Sequence, residues 1–276
     1  MKVIVADYAG FCFGVQRALD IVMKAAEEGQ PLYTLGPLIH NPQVVEMLSE
    51  HDVRVIRDLS EVKSGRVVLP SHGVPKTVAE QARNAGLDPI DVACPFVAKV
   101  HKLAAELASE GFAVVVVGDP AHSEVKGILS AAGEDAVAIS SPQEAAQQIW
   151  TGRIGIVSQT TQTGDRFGEI VGIIARTAGE IRAYNTICYA TRDRQDAVLK
   201  LAPEVDAMVV VGGRNSANTS RLREICESTG VPTYHIETAS EIDPSWFAEV
   251  GTVGLTAGAS TPGWILDDVR ERLEQL

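Results

Sequence analysis

The sequence predicts an α/β protein built from three similar domains with mainly parallel sheets. Two observations indicate this fold class. Short apolar runs alternate with amphipathic helical patterns throughout the 276 residues, and such alternation favours parallel sheets that helices cover on both faces. In addition, Cys12, Cys94 and Cys188 each stand where a strand-like run ends and a helical pattern begins. Their separations of 82 and 94 residues match the size of a small α/β unit.

Six apolar runs are typical of buried strands, because they are short and continuous. They cover residues 3–6, 67–69, 114–117, 154–157, 208–211 and 252–255. Four stretches between them carry apolar residues at helical spacing, and these cover residues 15–26, 44–49, 96–107 and 192–201. In the third stretch, Phe96, Val100 and Leu103 share one face, and Pro95 occupies a favoured position in the first turn.

The chain carries no close sequence repeat. The predicted repeat is therefore a repeat of the α/β domain structure and not of the sequence. We place the domain boundaries near Cys94 and Cys188. The first domain then covers residues 1–94 and has the N-terminal strand at its centre. The second domain covers residues 95–187, and the third covers residues 188–276.

Charge and composition exclude two classes of partner. A formal net charge of −12 argues against a nucleic-acid-binding surface, which needs clustered Lys and Arg. No apolar run approaches the roughly 18 residues that span a bilayer, and the first residues, MKVIVAD, lack the apolar segment of a signal peptide. We therefore expect a cytoplasmic protein with no membrane partner. Its four cysteines are then free thiols, metal ligands or nucleophiles rather than disulfides.

A short polar loop follows almost every strand-like run. The loops read LGPLIHN, PSHGV, GDPAHSEV, SQTT, GGRNSANTS and TAGAST. Ligands of open parallel sheets bind at the carboxyl ends of the strands, so we expect these loops to contribute to one shared site. Their side chains are hydrogen-bond donors that suit a diphosphate. The donors are His40, His72, His122, Ser216, Asn218 and Ser260.

Glu124 is the candidate proton donor, because it lies two residues after His122 in the third of these loops. A carboxyl group between apolar walls has a raised pKa, which suits a general acid. The hydroxyls of Thr160 and Thr161 offer a relay for the proton. Cys226 lies inside a helical pattern without glycine or proline around it, and we interpret it as a buried core residue.

Nine motifs occur in a fixed order between residue 1 and about residue 268. They are GFCFGVQRA, GPLIHNPQVV, SHGV, CPFVAKVH, HSEVKG, SQTT, TICYATRDRQ, NSANTSRL and TAGAST. Their order and spacing resemble the 4-hydroxy-3-methylbut-2-enyl diphosphate reductase family, also called IspH or LytB. The resemblance implies three α/β domains around a central four-iron four-sulfur (4Fe-4S) cluster. Cys12, Cys94 and Cys188 hold the cluster in this reading, and one iron stays open.

The resemblance also implies a reaction and the residues that perform it. The open iron acts as a Lewis acid, and reductive removal of the substrate's allylic hydroxyl yields isopentenyl and dimethylallyl diphosphates in the methylerythritol phosphate pathway of isoprenoid biosynthesis. Glu124 delivers protons and Thr160 positions the hydroxyl. The residues that bind the diphosphate are His40, His72, His122, Thr161, Ser216, Asn218 and Ser260. A ferredoxin or flavodoxin-type protein donates the electrons, since the sequence has no motif for NAD(P)H or flavin.

Six positions depart from the pattern of that family while the three cysteines stay in place. They are Ala93, Asp119, Ser123, Lys126, Asn185 and Ala217. At Ala217 the missing hydroxyl removes about one hydrogen bond, worth roughly 0.5–1.5 kcal/mol. Three alternatives therefore stay open: a divergent relative that acts on another phosphorylated or allylic substrate, an iron–sulfur sensor without catalysis, and a zinc or purely structural protein.

Overall fold

The strands of this computed structural model, which describes residues 1–276 apart from the side chain of Lys76, form three parallel sheets. The strands are β1 (Lys2–Val5), β2 (Leu32–Leu35), β3 (Val53–Ile56), β4 (Arg66–Leu69), β5 (Asp88–Asp91), β6 (Ala113–Val117), β7 (Val137–Ile139), β8 (Arg153–Ser158), β9 (Glu180–Ala183), β10 (Ala207–Val211), β11 (Thr233–Ile236) and β12 (Thr252–Ala257). The helices are α1 (Phe13–Ala26), α2 (Pro42–Glu50), α3 (Lys76–Asn84), α4 (Pro95–Ser109), α5 (Ser123–Ala132), α6 (Pro142–Ala146), α7 (Gly164–Ile174), α8 (Tyr189–Leu201), α9 (Ala217–Ser228) and α10 (Gly263–Glu274). Short 3-10 helices cover Leu59–Glu61, Ala202–Glu204, Ala239–Glu241 and Pro244–Phe247.

Each sheet has four strands in the same relative order. Read from one edge to the other, the orders are β5-β4-β2-β3, β9-β8-β6-β7 and β1-β12-β10-β11. The strand pairs are parallel, and neighbouring parallel strands need crossover connections, which helices supply here. The architecture of three parallel-sheet α/β domains that the sequence predicts is therefore confirmed.

The first strand lies outside the chain order of the other strands. It pairs in parallel with β12, with Lys2 opposite Thr252 and Val5 opposite Leu255. In its sheet β1 thus occupies the edge that β5 and β9 occupy in theirs, so the third repeat is circularly permuted. The sequence predicts that the N-terminal strand lies at the centre of a first domain. Instead, β1 lies at the edge of the sheet that contains β10, β11 and β12, because it pairs with β12. The boundaries near residues 94 and 188 stay a prediction.

The six apolar runs coincide with strands of the structure. They fall in β1, β4, β6, β8, β10 and β12, and the four helical stretches fall in α1, α2, α4 and α8. All five residues of β10 are buried, as expected for a parallel strand that is covered on both faces. Pro95 lies in the first turn of α4, also as predicted.

The chain divides into two compact units, which are described separately. The first unit contains Met1–Gln16, Ile39–Met47 and Tyr189–Leu276, and one of its core clusters includes Leu255 on β12. The second unit contains Arg17–Leu38 and Leu48–Cys188 and therefore the other two sheets. No helix in the described part of the chain is long and apolar enough to cross a membrane.

Candidate active site

Each of the three predicted cluster ligands immediately precedes a helix. Cys12 precedes α1, Cys94 is the N-cap of α4, and Cys188 precedes α8. The three thiols are half-buried and form no disulfide. The positive end of a helix dipole favours a thiolate, which is the form of cysteine that binds metals. The chemistry of this donor set therefore fits an iron–sulfur cluster.

The backbone N–H of each cysteine donates a hydrogen bond to a polar loop that follows a strand of the same sheet. The amide of Cys12 donates to the carbonyl of Ala259 at 3.1 Å, that of Cys94 to Ser71 at 2.8 Å, and that of Cys188 to Thr160 at 3.1 Å. In all three cases the cysteine follows an edge strand, and its partner lies in the loop after the adjacent strand. These partner loops are TAGAST, PSHGV and SQTT, three of the six predicted to form the site.

In the part of the chain that the structure describes, no group of three or more His, Cys, Asp or Glu side chains is placed to hold a metal ion. What the structure provides is a shared backbone construction at the three cysteines. The cluster and its ligand set stay a prediction at this point.

Glu124 is buried at the start of α5 and forms two hydrogen bonds with one residue. Its Oε1 accepts from the backbone N–H of Thr160 at 2.7 Å, and its Oε2 accepts from the Thr160 hydroxyl at 3.0 Å. Only 3% of Glu124 and 6% of Thr160 are exposed. Because the Thr160 carbonyl also accepts from Cys188, one residue connects the carboxyl group to a predicted cluster ligand within the second unit.

Burial raises the pKa of Glu124 from 4.5 to about 7, although the two hydrogen bonds from Thr160 act in the opposite direction. Desolvation disfavours the charged carboxylate, whereas donated hydrogen bonds favour it, and the first effect is larger here. The carboxyl group is therefore half-protonated near neutral pH. A group that titrates near the working pH is suited to donating a proton and recovering it.

The raised pKa of Glu124 predicts a pH dependence of stability. Below pH 4.5 the group is protonated in both the folded and the unfolded chain, so its contribution is fully present. Between pH 4.5 and about 7 only the unfolded chain ionises, so the free energy of unfolding falls by about 3 kcal/mol, given ~1.36 kcal/mol per pKa unit. Denaturant unfolding of the parent and of Glu124→Gln across this range measures the effect. Equal pH slopes for the two proteins would contradict it.

His122 and His72 lie together in the second unit. His122 is the N-cap of α5, and its Nδ1 accepts from the backbone N–H of Glu124 at 3.1 Å. That hydrogen bond assigns the proton of the neutral ring to Nε2, which is then a donor. The ring of His72 meets that of His122 edge to face, with 6.4 Å between the ring centroids. The half-buried Thr161 follows Thr160 after β8. His122 and Thr161, two of the predicted diphosphate-binding residues, thus lie next to the Glu124–Thr160 pair, and His72 contacts His122.

Ser216, Asn218 and Ser260 lie together in the first unit. Ser216 is the N-cap of α9, and its Oγ accepts from the Ser260 hydroxyl at 3.4 Å. Asn218 lies in the first turn of the same helix and is only 5% exposed, yet its side-chain nitrogen and oxygen have no hydrogen-bond partner in the protein. A buried amide without partners is costly. Its presence beside a helix N-terminus fits a site that binds an anion.

His40 lies against the same region of the first unit. A Cβ atom placed on Gly213 would stand 2.5 Å from the His40 carbonyl oxygen, so the two loops touch and a glycine is needed at the contact. Burial lowers the pKa of His40, which keeps its ring neutral. The next residue, Asn41, caps α2 by accepting from the N–H of Val44 at 3.0 Å. The first unit therefore brings His40 to the loop that carries Ser216 and Asn218.

The departures from the family pattern have local structural roles. Asp119 accepts from the N–H of Ala121 at 2.8 Å and so closes the turn before His122. Asn185 accepts from the N–H of Ile187 at 3.2 Å and shapes the segment before Cys188. Lys126 is exposed on α5. None of these contacts disturbs the hydrogen bonds of Glu124 with Thr160.

Sequence reasoning missed two residues that organise the site loops. Gln159 is 1% exposed, and its Oε1 accepts from the N–H of Asp119 at 3.1 Å, which joins the loop after β8 to the loop after β6. Arg194 is 4% exposed and donates to the carbonyl of Gly10 at 2.6 Å, two residues before Cys12. The motifs SQTT and TRDRQ contain both residues, but their long-range partners are not visible in the sequence.

Comparisons with known proteins match the whole chain. A family model described as LytB protein matches residues 3–274. A 4-hydroxy-3-methylbut-2-enyl diphosphate reductase of Trichlorobacter lovleyi is 49% identical over 276 residues, which cover 100% of this chain and 99% of that relative. The enzyme of the same name from Geotalea uraniireducens is 46% identical and is matched over 98% of its length, again with 100% of this chain.

Solved structures agree with these relatives. One is named (E)-4-hydroxy-3-methyl-but-2-enyl diphosphate reductase, the terminal enzyme of the non-mevalonate pathway; it is 44% identical, with a TM-score of 0.72 and 100% of both chains covered. The E-1-hydroxy-2-methyl-but-2-enyl-4-diphosphate reductase from Plasmodium falciparum is 26% identical, with a TM-score of 0.92 over 100% of this chain and 87% of that chain. Together with the repeated cysteine loops, these full-length matches show that the chain belongs to the LytB protein family.

Proposed function

We propose that this chain is a 4-hydroxy-3-methylbut-2-enyl diphosphate reductase of isoprenoid biosynthesis. The reaction removes an allylic hydroxyl: substrate, two electrons and two protons give isopentenyl or dimethylallyl diphosphate and one water. The observation that carries the proposal is the buried Glu124–Thr160 pair, whose carboxyl pKa of about 7 suits proton delivery. Full-length relatives that bear this enzyme name support it.

Cys12, Cys94 and Cys188 would hold a 4Fe-4S cluster. Their half-buried thiols at helix N-termini support this assignment. When bound, such a cluster supplies one-electron transfers and a Lewis-acidic iron. The protein's own part would be to fix the three cysteines, and the backbone hydrogen bonds to Ala259, Ser71 and Thr160 support this role.

Glu124 and Thr160 would handle the proton that the departing hydroxyl takes up. At pH values below about 7 the Glu124 carboxyl is neutral and can donate a proton to the departing hydroxyl, which leaves as water. The N–H and hydroxyl of Thr160 then stabilise the carboxylate that remains. Solvent reprotonates Glu124 before the next turnover, because a pKa near 7 makes both protonation states accessible.

The predicted diphosphate donors stay the proposed binding residues, and each unit is described by itself. In the first unit they are His40, Ser216, Asn218 and Ser260, and in the second unit they are His72, His122 and Thr161. The unsatisfied amide of Asn218 supports this role, since an anion would supply the missing acceptor for its N–H groups. Fixing the inert end of the substrate restricts the position of its reacting hydroxyl, and such restriction accelerates a reaction.

Asn218→Leu is expected to separate binding from stability. Leucine has a similar size but no polar atoms, so the unliganded variant should be as stable as the parent or gain about 1 kcal/mol, because an unpaired buried group is removed. Binding of inorganic diphosphate should weaken at least ~10-fold, as each lost charge-assisted hydrogen bond is worth roughly 1.5–3 kcal/mol. Calorimetric titration and thermal unfolding measure the two effects. Asn84→Leu at an exposed asparagine is the control, and unchanged diphosphate binding by Asn218→Leu would refute the assignment.

An anaerobic assay tests the whole proposal. Protein that contains stoichiometric iron and sulfide is mixed with substrate and a strong one-electron donor, and the isoprenoid diphosphates are quantified. Absence of both products despite an intact cluster would refute the function and favour a sensor or a relative with another substrate. A ferredoxin or flavodoxin as the physiological donor and a cytoplasmic location stay predictions.

A further inference from the structure

The imidazole ring of His101 contacts two segments that carry proposed site residues. His101 is half-buried on α4, seven residues after Cys94, a spacing that returns to the same face of a helix. The edge of its ring faces two glycines. A Cβ atom on Gly127 would lie 2.8 Å from Cε1 and 3.0 Å from Nε2, and one on Gly73 would lie 3.1 Å from Cε1 and 3.4 Å from Nε2. The ring therefore packs directly on the backbone of both glycines.

Each glycine is close in sequence to a proposed site residue. Gly73 follows His72 in the loop after β4 and has a φ of +77°, which only glycine adopts without strain. Gly127 lies on α5, three residues after Glu124, and α5 begins directly after His122. A single side chain thus touches the loop of His72 and the helix that carries the proton donor.

A cavity adjoins the contact between His101 and Gly73. Gly73 and His101 both line a cavity of about 490 Å³ next to α4, whose wall also includes Val74, Ala98 and Ala105. If the imidazole were removed, the loop of His72 would border the cavity and would keep Val97, whose Cγ1 would lie 3.2 Å from a Cβ atom on Gly73, but it would lose its contact with the ring. The contact between the rings of His72 and His122 would then lose one of its supports.

We propose that His101 is a positioning residue, which sets the placement of His72 relative to the start of α5 and thereby the binding of the diphosphate. The proposal rests on the proposed function, because it uses the diphosphate site defined there. His101 does not touch the substrate in this view. It acts through the backbone at Gly73 and Gly127, and its amino-acid type matters because a planar ring fits the narrow space between two glycines.

A double-mutant cycle tests this role. His101→Ala should weaken inorganic diphosphate binding about 10-fold and lower kcat/KM to a similar extent, while iron and sulfide content stay at the parent level. His101→Gln, which keeps a planar polar group of similar reach, should recover binding to within about 3-fold. Gly127→Ala should weaken binding in the parent, because its methyl group pushes on the ring, but should have little further effect in His101→Ala.

Lys102→Ala is the matched control, since Lys102 is the exposed neighbour of His101 on α4, and it should bind diphosphate like the parent. Parent-like binding by His101→Ala, or additive losses in the cycle, would overturn the proposal. Gly127→Ala retains His101 and has a better helix former, so it keeps the test valid if His101→Ala does not fold. If the parent binds diphosphate but never turns over, the proposed function fails while the binding cycle still decides the role of His101.

Discussion

Replacing Glu124 with glutamine is expected to lower kcat by about 10²- to 10⁴-fold, the usual contribution of a positioned general acid. Glutamine keeps the size of the side chain and an oxygen that can accept from the N–H of Thr160, and its NH2 group can donate to the Thr160 hydroxyl, but it has no acidic proton to transfer. The loss should therefore appear in kcat, with little change in diphosphate affinity or iron content. Anaerobic steady-state kinetics and a parallel binding titration measure both parts.

The control for this prediction is Glu134→Gln, at an exposed carboxylate just after α5, and it should behave like the parent. The pH profile of the parent adds a second check. Activity should fall as the pH rises through about 7, because the Glu124 proton is then lost. A glutamine variant that retains full kcat, or a parent profile without this descending limb, would remove Glu124 from the proton-delivery role.

Replacing any one of Cys12, Cys94 and Cys188 with serine is expected to abolish turnover and remove most of the iron. Loss of an outer-shell residue at a metal site typically costs 10- to 100-fold in affinity or activity, so loss of a ligand itself should exceed ~100-fold. Iron and sulfide analysis with a visible absorption spectrum, all under anaerobic conditions, gives the readout. The three variants should resemble one another, because the three cysteines share one local construction.

Cys226→Ala is the matched control for the cysteine series. Cys226 is fully buried on α9, and burial raises the pKa of its thiol to about 12, so it is a core residue and not a thiolate ligand. Its replacement should leave the iron content unchanged and cost about 1 kcal/mol of stability for a small cavity. Loss of iron in this control, or full iron retention in any of the three serine variants, would contradict the ligand set.

Five of the six interior strands were predictable from sequence, all except β2, whereas β1 was the only one of the six edge strands that was. Strands such as β6 and β10 are continuous runs of valine that pack on both faces. The edge strand β5 reads DPID and contains Pro89, which removes one backbone donor, and β9 reads EIRA with a charge at each end of its apolar residue. Such segments become strands because a buried neighbour pairs with them, and that pairing leaves no periodic signal.

Parts of the site show the same division. Glu124 and Thr160 were predicted as proton-handling residues, and the structure places them in direct hydrogen-bond contact. The ring of His101 between two glycines was not predictable, because the three residues lie in separate segments and a histidine inside a helical pattern carries no local signal. Chemistry-bearing residues in loops are visible in sequence, while the packing that aligns them depends on tertiary contacts.

The pairing of β1 with β12 has a consequence for biogenesis. The amide of Cys12 finds its partner at Ala259, so the nascent polypeptide cannot complete the fold of this segment until residue 259 has been translated. Contacts this distant in sequence also form slowly, because a long loop must close first. If the chain holds the proposed cluster, factors that load it would accordingly act after that point, and newly made protein would first pass through an apo stage in which the thiol of Cys12 is unprotected.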